Sequence, residues 1–265
     1  MLGIRYGRWS DNVAPNATVA AYPPDAAYPA AWAADRDPAR PSKLNAGTGS
    51  FVFTFAAPQR VDAVALIHHN LQPGLAVFVQ GSNDNFGSTA FSAALQIPAY
   101  RLDGFPVSPW LDLTTLPGYT ATGCTEWQVY VQGTNPVNVA IGEIVLLSHL
   151  RSLDRNPQWG FVDDENHPLI EHATDYGVVT TYEYGTLTRS YAGTIIASDA
   201  GADELRALAR DVRFRSRGWL FIPDAAVNEA WFVRFTSMPQ VRTHQMINAN
   251  PMTFAVEEIS RGLPL

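Results

Sequence analysis

Hydrophobic and polar residues alternate along most of the first half of the chain. In "SFVFTFAA", Phe51, Phe53 and Phe55 fall on one face of an extended segment. "LAVFVQG" and "EWQVYVQG" repeat this pattern, "VDAVALIH" carries apolar residues on both faces, and "VNVAIGEIVLL" follows; Gly, Pro and Asn separate these stretches. Because successive side chains of a strand point to opposite faces, the pattern predicts a β-sandwich of short strands over residues 1–150.

A different order follows in the second half of the chain. The segment 151–172 is polar and contains two prolines, so we expect a linker there and a second domain over 173–265. In that domain, "VVTTYEYG" and "LTRSYAGTIIAS" predict a hairpin around Gly185. The strands "GWLFIP", "AWFVRFT" and "MTFAVEEI" come later. The sequence therefore predicts an all-β protein of two β-sandwich domains.

One amphipathic helix interrupts the strands. In "DAGADELRALARDVR", Leu205, Leu208 and Val212 recur at the spacing of one helix face. Ser198 precedes this stretch and is a favoured N-cap residue. We predict a helix over 202–214 that flanks the second sandwich.

Composition narrows the classes of function. The net charge is −7, whereas nucleic-acid-binding domains are usually basic. Cys124 is the only cysteine, so no internal disulfide can form. No stretch approaches the roughly 20 apolar residues of a membrane span, and "MLGIRYGRWSDN" lacks a signal-peptide core. We expect a protein made in the cytoplasm, without a membrane or nucleic acid as partner.

Two groups of histidines are candidate metal ligands. His68 and His69 end an apolar run, and adjacent side chains of a strand point apart. They mark either a strand end or a ligand contact on the sandwich rim. His167 and His172 are five positions apart, with Pro168 between them, which does not match a zinc-protease helix. We therefore predict no metal.

No pattern of an enzyme is present. The sequence contains neither a G-x-S-x-G elbow nor a glycine-rich phosphate loop. A glycan hydrolase, the least favoured function, would need paired carboxylates. We predict that the protein has no catalytic residues and no cofactor.

The first half carries a resemblance. The order "FVFTFAAPQRVDAVALIHHN", "AVFVQGSNDNF", "EWQVYVQG" and "IGEIVLL" resembles the galactose-binding-like (discoidin, F5/8 type C) sandwich over residues 10–148. The resemblance implies an N-terminal galactose-binding-like jelly roll. It also places His68, His69 and Asn70 where an early strand of the family leaves the core.

The second half resembles another family. "TRSYAGTIIASDAGADELRALARDVRF" and "EEISRGLPL" are similar to tail-tip or minor tail proteins of tailed phages. The resemblance implies a tail-tube or distal-tail-like β-sandwich in a virion protein of the tail tip or baseplate. It further implies a hexameric or trimeric ring, with other tail proteins and copies of this chain as partners. Distal tail proteins usually place the ring-forming domain first, and here the order is reversed.

Five arginines are the candidate ring interface, because arginine favours protein contacts. Alternatively they form a solvated face or contact nucleic acid. They crowd the predicted helix and its exit: Arg206, Arg210, Arg213, Arg215 and Arg217.

Binding of a carbohydrate is the alternative function, as a module for adsorption to a host surface with a weakly bound host glycan. Sugar sites use exposed aromatic platforms. The candidate sugar contacts are Tyr28, Trp32 and Trp110, which lie in loop-like segments. These rings would equally well fill the ends of the sandwich.

Overall fold

A computed structural model describes residues 4–100, 106–119, 122–153, 162–166, 169–173, 179–183, 188–213, 216–241 and 250–259. The chain divides into two compact units. The first contains Met1–Leu153 and Trp219–Phe232, and the second contains Asp154–Gly218 and Val233–Pro264. The segment Trp219–Phe232 therefore belongs to the first unit, although it lies in the sequence between two segments of the second.

The described elements are mostly strands. In chain order they are β1 (Arg5–Gly7), β2 (Thr18–Tyr22), β3 (Ser42–Lys43), β4 (Gly49–Gln59), β5 (Ala63–His69), β6 (Ala76–Ser82), β7 (Phe91–Gln96), β8 (Trp110–Asp112), β9 (Cys124–Val131), β10 (Ala140–Leu147), β11 (Arg151–Ser152), β12 (Val162–Asn166), β13 (Leu169–Ala173), β14 (Val179–Glu183), β15 (Thr188–Ala197), β16 (Trp219–Ile222), β17 (Trp231–Val241) and β18 (Asn250–Glu258). The helix α1 spans Asp199–Asp211, and short 3₁₀ turns occur at Trp9–Asp11, Ala14–Asn16, Ala30–Ala34 and Leu113–Thr115.

The first unit is a β-sandwich of two antiparallel sheets. One sheet has the order β2-β4-β9-β6-β7 and the other has the order β3-β10-β5-β8. Phe51, Phe53 and Phe55 point from the first sheet into a core that also contains Leu66 and Ile144 of the second. The period of two in the sequence thus marks the core-facing residues of β4, as predicted.

Strands β5 and β10 are buried on both faces, because the N-terminal segment covers the outer side of their sheet. Gly7 of β1 lies so close to Leu147 that a Cβ at Gly7 would be 2.3 Å from the leucine side chain. A larger residue at this position would therefore push the segment away from the sheet.

The described part of the second unit contains an antiparallel sheet in the order β17-β18-β15-β12. The hairpin predicted around Gly185 is wrong, since β14 pairs with β13, and β15 pairs with β12 and β18. Alternation identifies a strand but does not choose its partner. Gly185 itself lies outside the described residues.

The segment 151–172, which the sequence predicts as a linker, contains β11, β12 and most of β13. Strand β12 was not predicted because its sequence, "VDDEN", is mostly acidic and lacks the apolar pattern of a strand. This strand is at the edge of its sheet, where charged side chains are common.

Helix α1 begins earlier than predicted, at Asp199. The Ser198 hydroxyl caps it by accepting a hydrogen bond from the N–H of Gly201 (3.1 Å). Leu205 and Leu208 are buried, as their spacing predicts. The helix ends at Asp211, shortly before Arg213 adopts a left-handed backbone (φ 45°). The predicted all-β class with one flanking helix is confirmed.

Glu143 in β10 is a fully buried carboxyl group. Its two oxygens accept hydrogen bonds from Asn12 Nδ2 (3.3 Å) and from the backbone N–H of Arg36 (2.9 Å). Burial raises the pKa of Glu143 well above its ordinary value, and these two hydrogen bonds only partly oppose the shift. The folded protein therefore binds this proton more tightly than the unfolded chain does.

The pH dependence of folding follows from this shift. The stabilisation linked to Glu143 is fully present below the ordinary glutamate pKa of about 4.3 and is lost as the pH rises through the folded-state pKa. The difference in unfolding free energy between the native protein and Glu143→Gln should therefore fall with rising pH. Urea unfolding over a pH series measures it, with Glu126→Gln as the control. A difference that is constant or rises with pH would contradict the assignment.

Candidate functional site

His68 and His69 are buried at the end of β5. Nδ1 of His68 lies 3.2 Å from the carbonyl oxygen of Pro38. Nδ1 of His69 accepts a hydrogen bond from the N–H of Leu71 (3.1 Å), so its Nε2 donates to the carbonyl of Val107 (2.8 Å). Both rings are bonded to the backbone of neighbouring loops, which is the structural role of a strand end.

Tyr28 and Trp32 meet in the loop between β2 and β3. Their rings are edge to face with centroids 6.2 Å apart. The guanidinium of Arg40 lies 5.2 Å from the Trp32 ring, and the ammonium of Lys43 lies 4.0 Å from the Tyr28 ring. Cations of the same chain lie over both rings, so this cluster anchors the loop to β3, and both rings stay partly exposed.

Trp110 is in a different place, at the start of β8. Its side chain is only 7% exposed and forms part of the wall of a cavity of about 340 Å³. The other walls come from β7, from the turn Leu113–Thr115 with Leu116, and from the loop 225–228. The structure thus separates Trp110 from the Tyr28–Trp32 pair and makes it the wall of a concave site.

Asn228 closes this cavity between the edge strands of two sheets. Its Nδ2 donates to the carbonyl of Gln96 at the end of β7 (2.8 Å). Its Oδ1 accepts a hydrogen bond from the N–H of Trp110 in β8 (3.0 Å). The indole Nε1 of Trp110 donates to the carbonyl of Val227 (3.0 Å). The loop therefore fixes both the backbone and the ring of Trp110.

Polar groups line the cavity opposite the apolar indole. Asp112 is held by an ion pair with Arg5 and accepts hydrogen bonds from the N–H (3.0 Å) and hydroxyl (2.6 Å) of Thr114. Gln96 and Thr115 are exposed and also line the cavity. Asp112 is the only acidic residue among the lining residues, so the cavity lacks the carboxylate pair of a glycan hydrolase.

The candidate interface arginines differ in their contacts. Arg206 pairs with an aspartate one turn earlier in α1 (2.6 Å), and Arg217 donates to a backbone carbonyl at the end of this helix (3.2 Å). Arg210 and Arg213 are exposed, and Arg215 lies outside the described residues. The structure thus leaves two of these guanidinium groups on the surface of the second unit.

The described ranges contain neither a candidate metal site nor a candidate membrane helix. No group of three or more His, Cys, Asp or Glu side chains there is placed to hold a metal ion. No helix in these ranges is long and apolar enough to cross a membrane. His167 lies outside them.

The sequence indicated Trp110 as a candidate sugar contact but not the residues that complete its cavity. Asn228 is 118 positions away from Trp110, and alternation within a strand cannot reveal such a pairing. The available signal was the polar turn "PDAAVNE" between two apolar strands. Such a turn predicts an exposed loop but not the strands that its side chains contact.

No family model and no curated protein matches the chain. Solved structures are similar over about half of it. The lectin domain of lectinolysin complexed with Lewis B antigen has a TM-score of 0.40 and 13% identity and covers 53% of this chain and 98% of its own. The family 32 carbohydrate-binding module from C. perfringens NanJ in complex with galactose has a TM-score of 0.38 and 10% identity, and covers 56% and 99%.

A chitosan-binding module from a chitosanase/glucanase of Paenibacillus sp. IK-5, in complex with chitotriose, has a TM-score of 0.38 and 18% identity, and covers 51% and 99%. At these identities and TM-scores a shared ligand does not follow. Function has to be argued from the site.

Replacing Asn228 should open the cavity wall. Asn228→Ala removes the partners of the Trp110 N–H and the Gln96 carbonyl, so we expect a loss of about 1–3 kcal/mol in unfolding free energy. Urea unfolding measures the loss. Asn138→Ala, at another exposed loop position, is the control and should change stability by less than about 0.5 kcal/mol. Equal stability of the two variants would show that Asn228 does not hold the wall.

Proposed function

We propose that the protein binds a neutral carbohydrate in the cavity beside Trp110. The observation that carries the proposal is the convergence of one indole wall with Asp112, Gln96, Thr115 and Asn228 around a single concave space. Small-molecule sites typically combine apolar walls with a few placed polar groups. This composition supports the alternative function from the sequence, with Trp110 as its central residue.

A sugar suits these walls better than a flat apolar molecule. The exposed Gln96 and Thr115 offer amide and hydroxyl partners for the hydroxyls of a sugar. The 7% of Trp110 that is exposed offers a small apolar contact for its carbon-bound hydrogens. The volume of about 340 Å³ lies at the lower end of the range of small-molecule sites. Asp112 disfavours an anionic ligand, and the guanidinium of Arg5 is already paired with it. A neutral sugar therefore fits the cavity.

Isothermal titration with glucose, galactose, mannose and N-acetylglucosamine tests the proposal. We expect saturable binding of at least one of them. Gln96→Ala or Thr115→Ala should weaken it about five- to tenfold, the loss of one hydrogen bond. Ala226→Trp should abolish it by filling the cavity.

Gln72→Ala, in an exposed loop outside the cavity, is the control and should bind like the native protein. Absence of binding to all four sugars would overturn the proposal. Unchanged binding by a folded Ala226→Trp variant would place the site elsewhere.

A structural role in a phage tail, with ring contacts through the second unit, stays a prediction. The exposed Arg210 and Arg213 make it testable, because charge reversal at a ring interface disrupts register. In an assembled particle, we expect copies of this chain around the tail axis and their loss in an Arg210→Glu, Arg213→Glu double variant. Copies held only through the first unit would contradict it.

A further inference from the structure

We propose that the cavity beside Trp110 is the end of a longer surface for an extended, neutral glycan chain. This surface crosses the outer face of the five-stranded sheet and follows a single row of side chains. The inference rests on the proposed function, since it uses the cavity as the subsite at one end. It adds the class of ligand: a linear chain of several sugar rings.

The row is defined by the strand register. Neighbouring strands place five residues directly opposite one another across the sheet. They are, from β2 to β7, Tyr22, Ser50, Tyr130, Phe78 and Ala94. The flanking residues Val77, Val79 and Val129 point into the core, so the row faces outward. It contains three aromatic rings within one register row that crosses the strands.

The rings of this row are accessible. Tyr22 is 58% exposed, Tyr130 and Phe78 are partly exposed, and the small Ser50 between Tyr22 and Tyr130 is buried (5% exposed). The outward face of a sheet meets water rather than the core, so core packing does not account for aromatic side chains there. A row of rings separated by a small residue forms a shallow track across the sheet.

The row is continuous with the cavity. Ala94, its last member, is exposed and also lines the cavity beside Trp110. Gln96, two residues further along β7, lines the cavity as well. A ligand seated against Trp110 therefore extends directly onto Phe78 and Tyr130 without leaving the protein surface.

A second row runs beside the aromatic one and is polar at its positions in β9, β6 and β7. The next outward positions in register are Ala20, Val52, Gln128, Gln80 and Ser92. The Gln80 Nε2 donates to the Ser92 hydroxyl (3.3 Å), and this pair is exposed. Amides and a hydroxyl next to a line of rings match a sugar chain, whose faces are apolar and whose edges carry hydroxyls.

The charge of the face selects a neutral ligand. Glu126 is the only charged side chain at the outward positions of the five strands, all of whose residues are described. These outward positions carry no cation that could pair with a uronic acid or a sulfated sugar. The single carboxylate, that of Glu126, would repel such an anionic ligand. An apolar peptide would not use the row of amides, so a neutral glycan complements the face better.

The geometry also favours an extended chain. Neighbouring strands are about 4.8 Å apart, so the five-membered row is roughly 19 Å long. This length accommodates several pyranose rings when the chain is ribbon-like, as in β-1,4-linked glucose, and not when it coils. We therefore expect affinity to grow with chain length beyond the single ring that the cavity holds.

Isothermal titration with glucose and with β-1,4-linked glucose oligomers of two to six rings tests the inference. We expect affinity to rise with length up to about four or five rings, the number set by the length of the row. Tyr130→Ala and Tyr22→Ala should each weaken binding of the six-ring oligomer roughly tenfold. Both should leave glucose binding unchanged. Tyr22 is 58% exposed, so its truncation removes little buried surface.

The controls separate this inference from the proposed function. Thr54→Ala lies on the same face outside both rows and should bind every oligomer like the native protein. Ala226→Trp, which fills the cavity, should weaken binding of both glucose and the oligomers.

Length-independent affinity with intact glucose binding would overturn the row while the cavity stands. Absence of binding by glucose and all oligomers would overturn the glucan surface. Oligomer binding that tolerates Ala226→Trp would overturn its continuity with the cavity.

Discussion

The side chain of Asn228 links the open edges of two sheets that face each other across the core. One amide bonds the end of β7 and the start of β8, at the open edges of the two sheets. Edge strands carry unpaired backbone groups that have to be satisfied. Here a loop satisfies them from outside and leaves a concave space against Trp110. The cavity exists because this loop bridges the two edges instead of filling the space between them.

The groups that look most reactive in the sequence serve the fold. His68 and His69 bond to the backbone of the loops that they hold, and the buried Glu143 receives two hydrogen bonds from segments that cover its sheet. The site proposed for binding contains none of these groups. It consists of one tryptophan, one aspartate, two amides and a threonine. Such groups orient a ligand without transforming it, which suits a binding protein.

Sequence periodicity predicted the sandwich, because the spacing of apolar residues within each strand indicates which of its side chains are buried. Phe51, Phe53 and Phe55 recur at every second position whatever their partner strand is, so β4 was predictable. Partner choice was not, as the wrong hairpin around Gly185 illustrates. The cavity lies beyond local patterns for the same reason, since Asn228 and Trp110 meet only when the chain returns from the second unit. Tyr130 shares a face with Glu126 and Gln128, so the alternation of "EWQVYVQG" indicates that it faces outward but not which rings lie beside it.

The resonance of the Trp110 indole N–H tests the central claim most directly. This group donates to Val227 in the wall of the cavity, and a Trp110→Phe variant identifies its signal among those of the seven tryptophans. In a titration with the four neutral monosaccharides followed by ¹H–¹⁵N spectra, the account predicts a saturable shift of the Trp110 signal and none for Trp32. A saturable shift of Trp32 with Trp110 unmoved would contradict it.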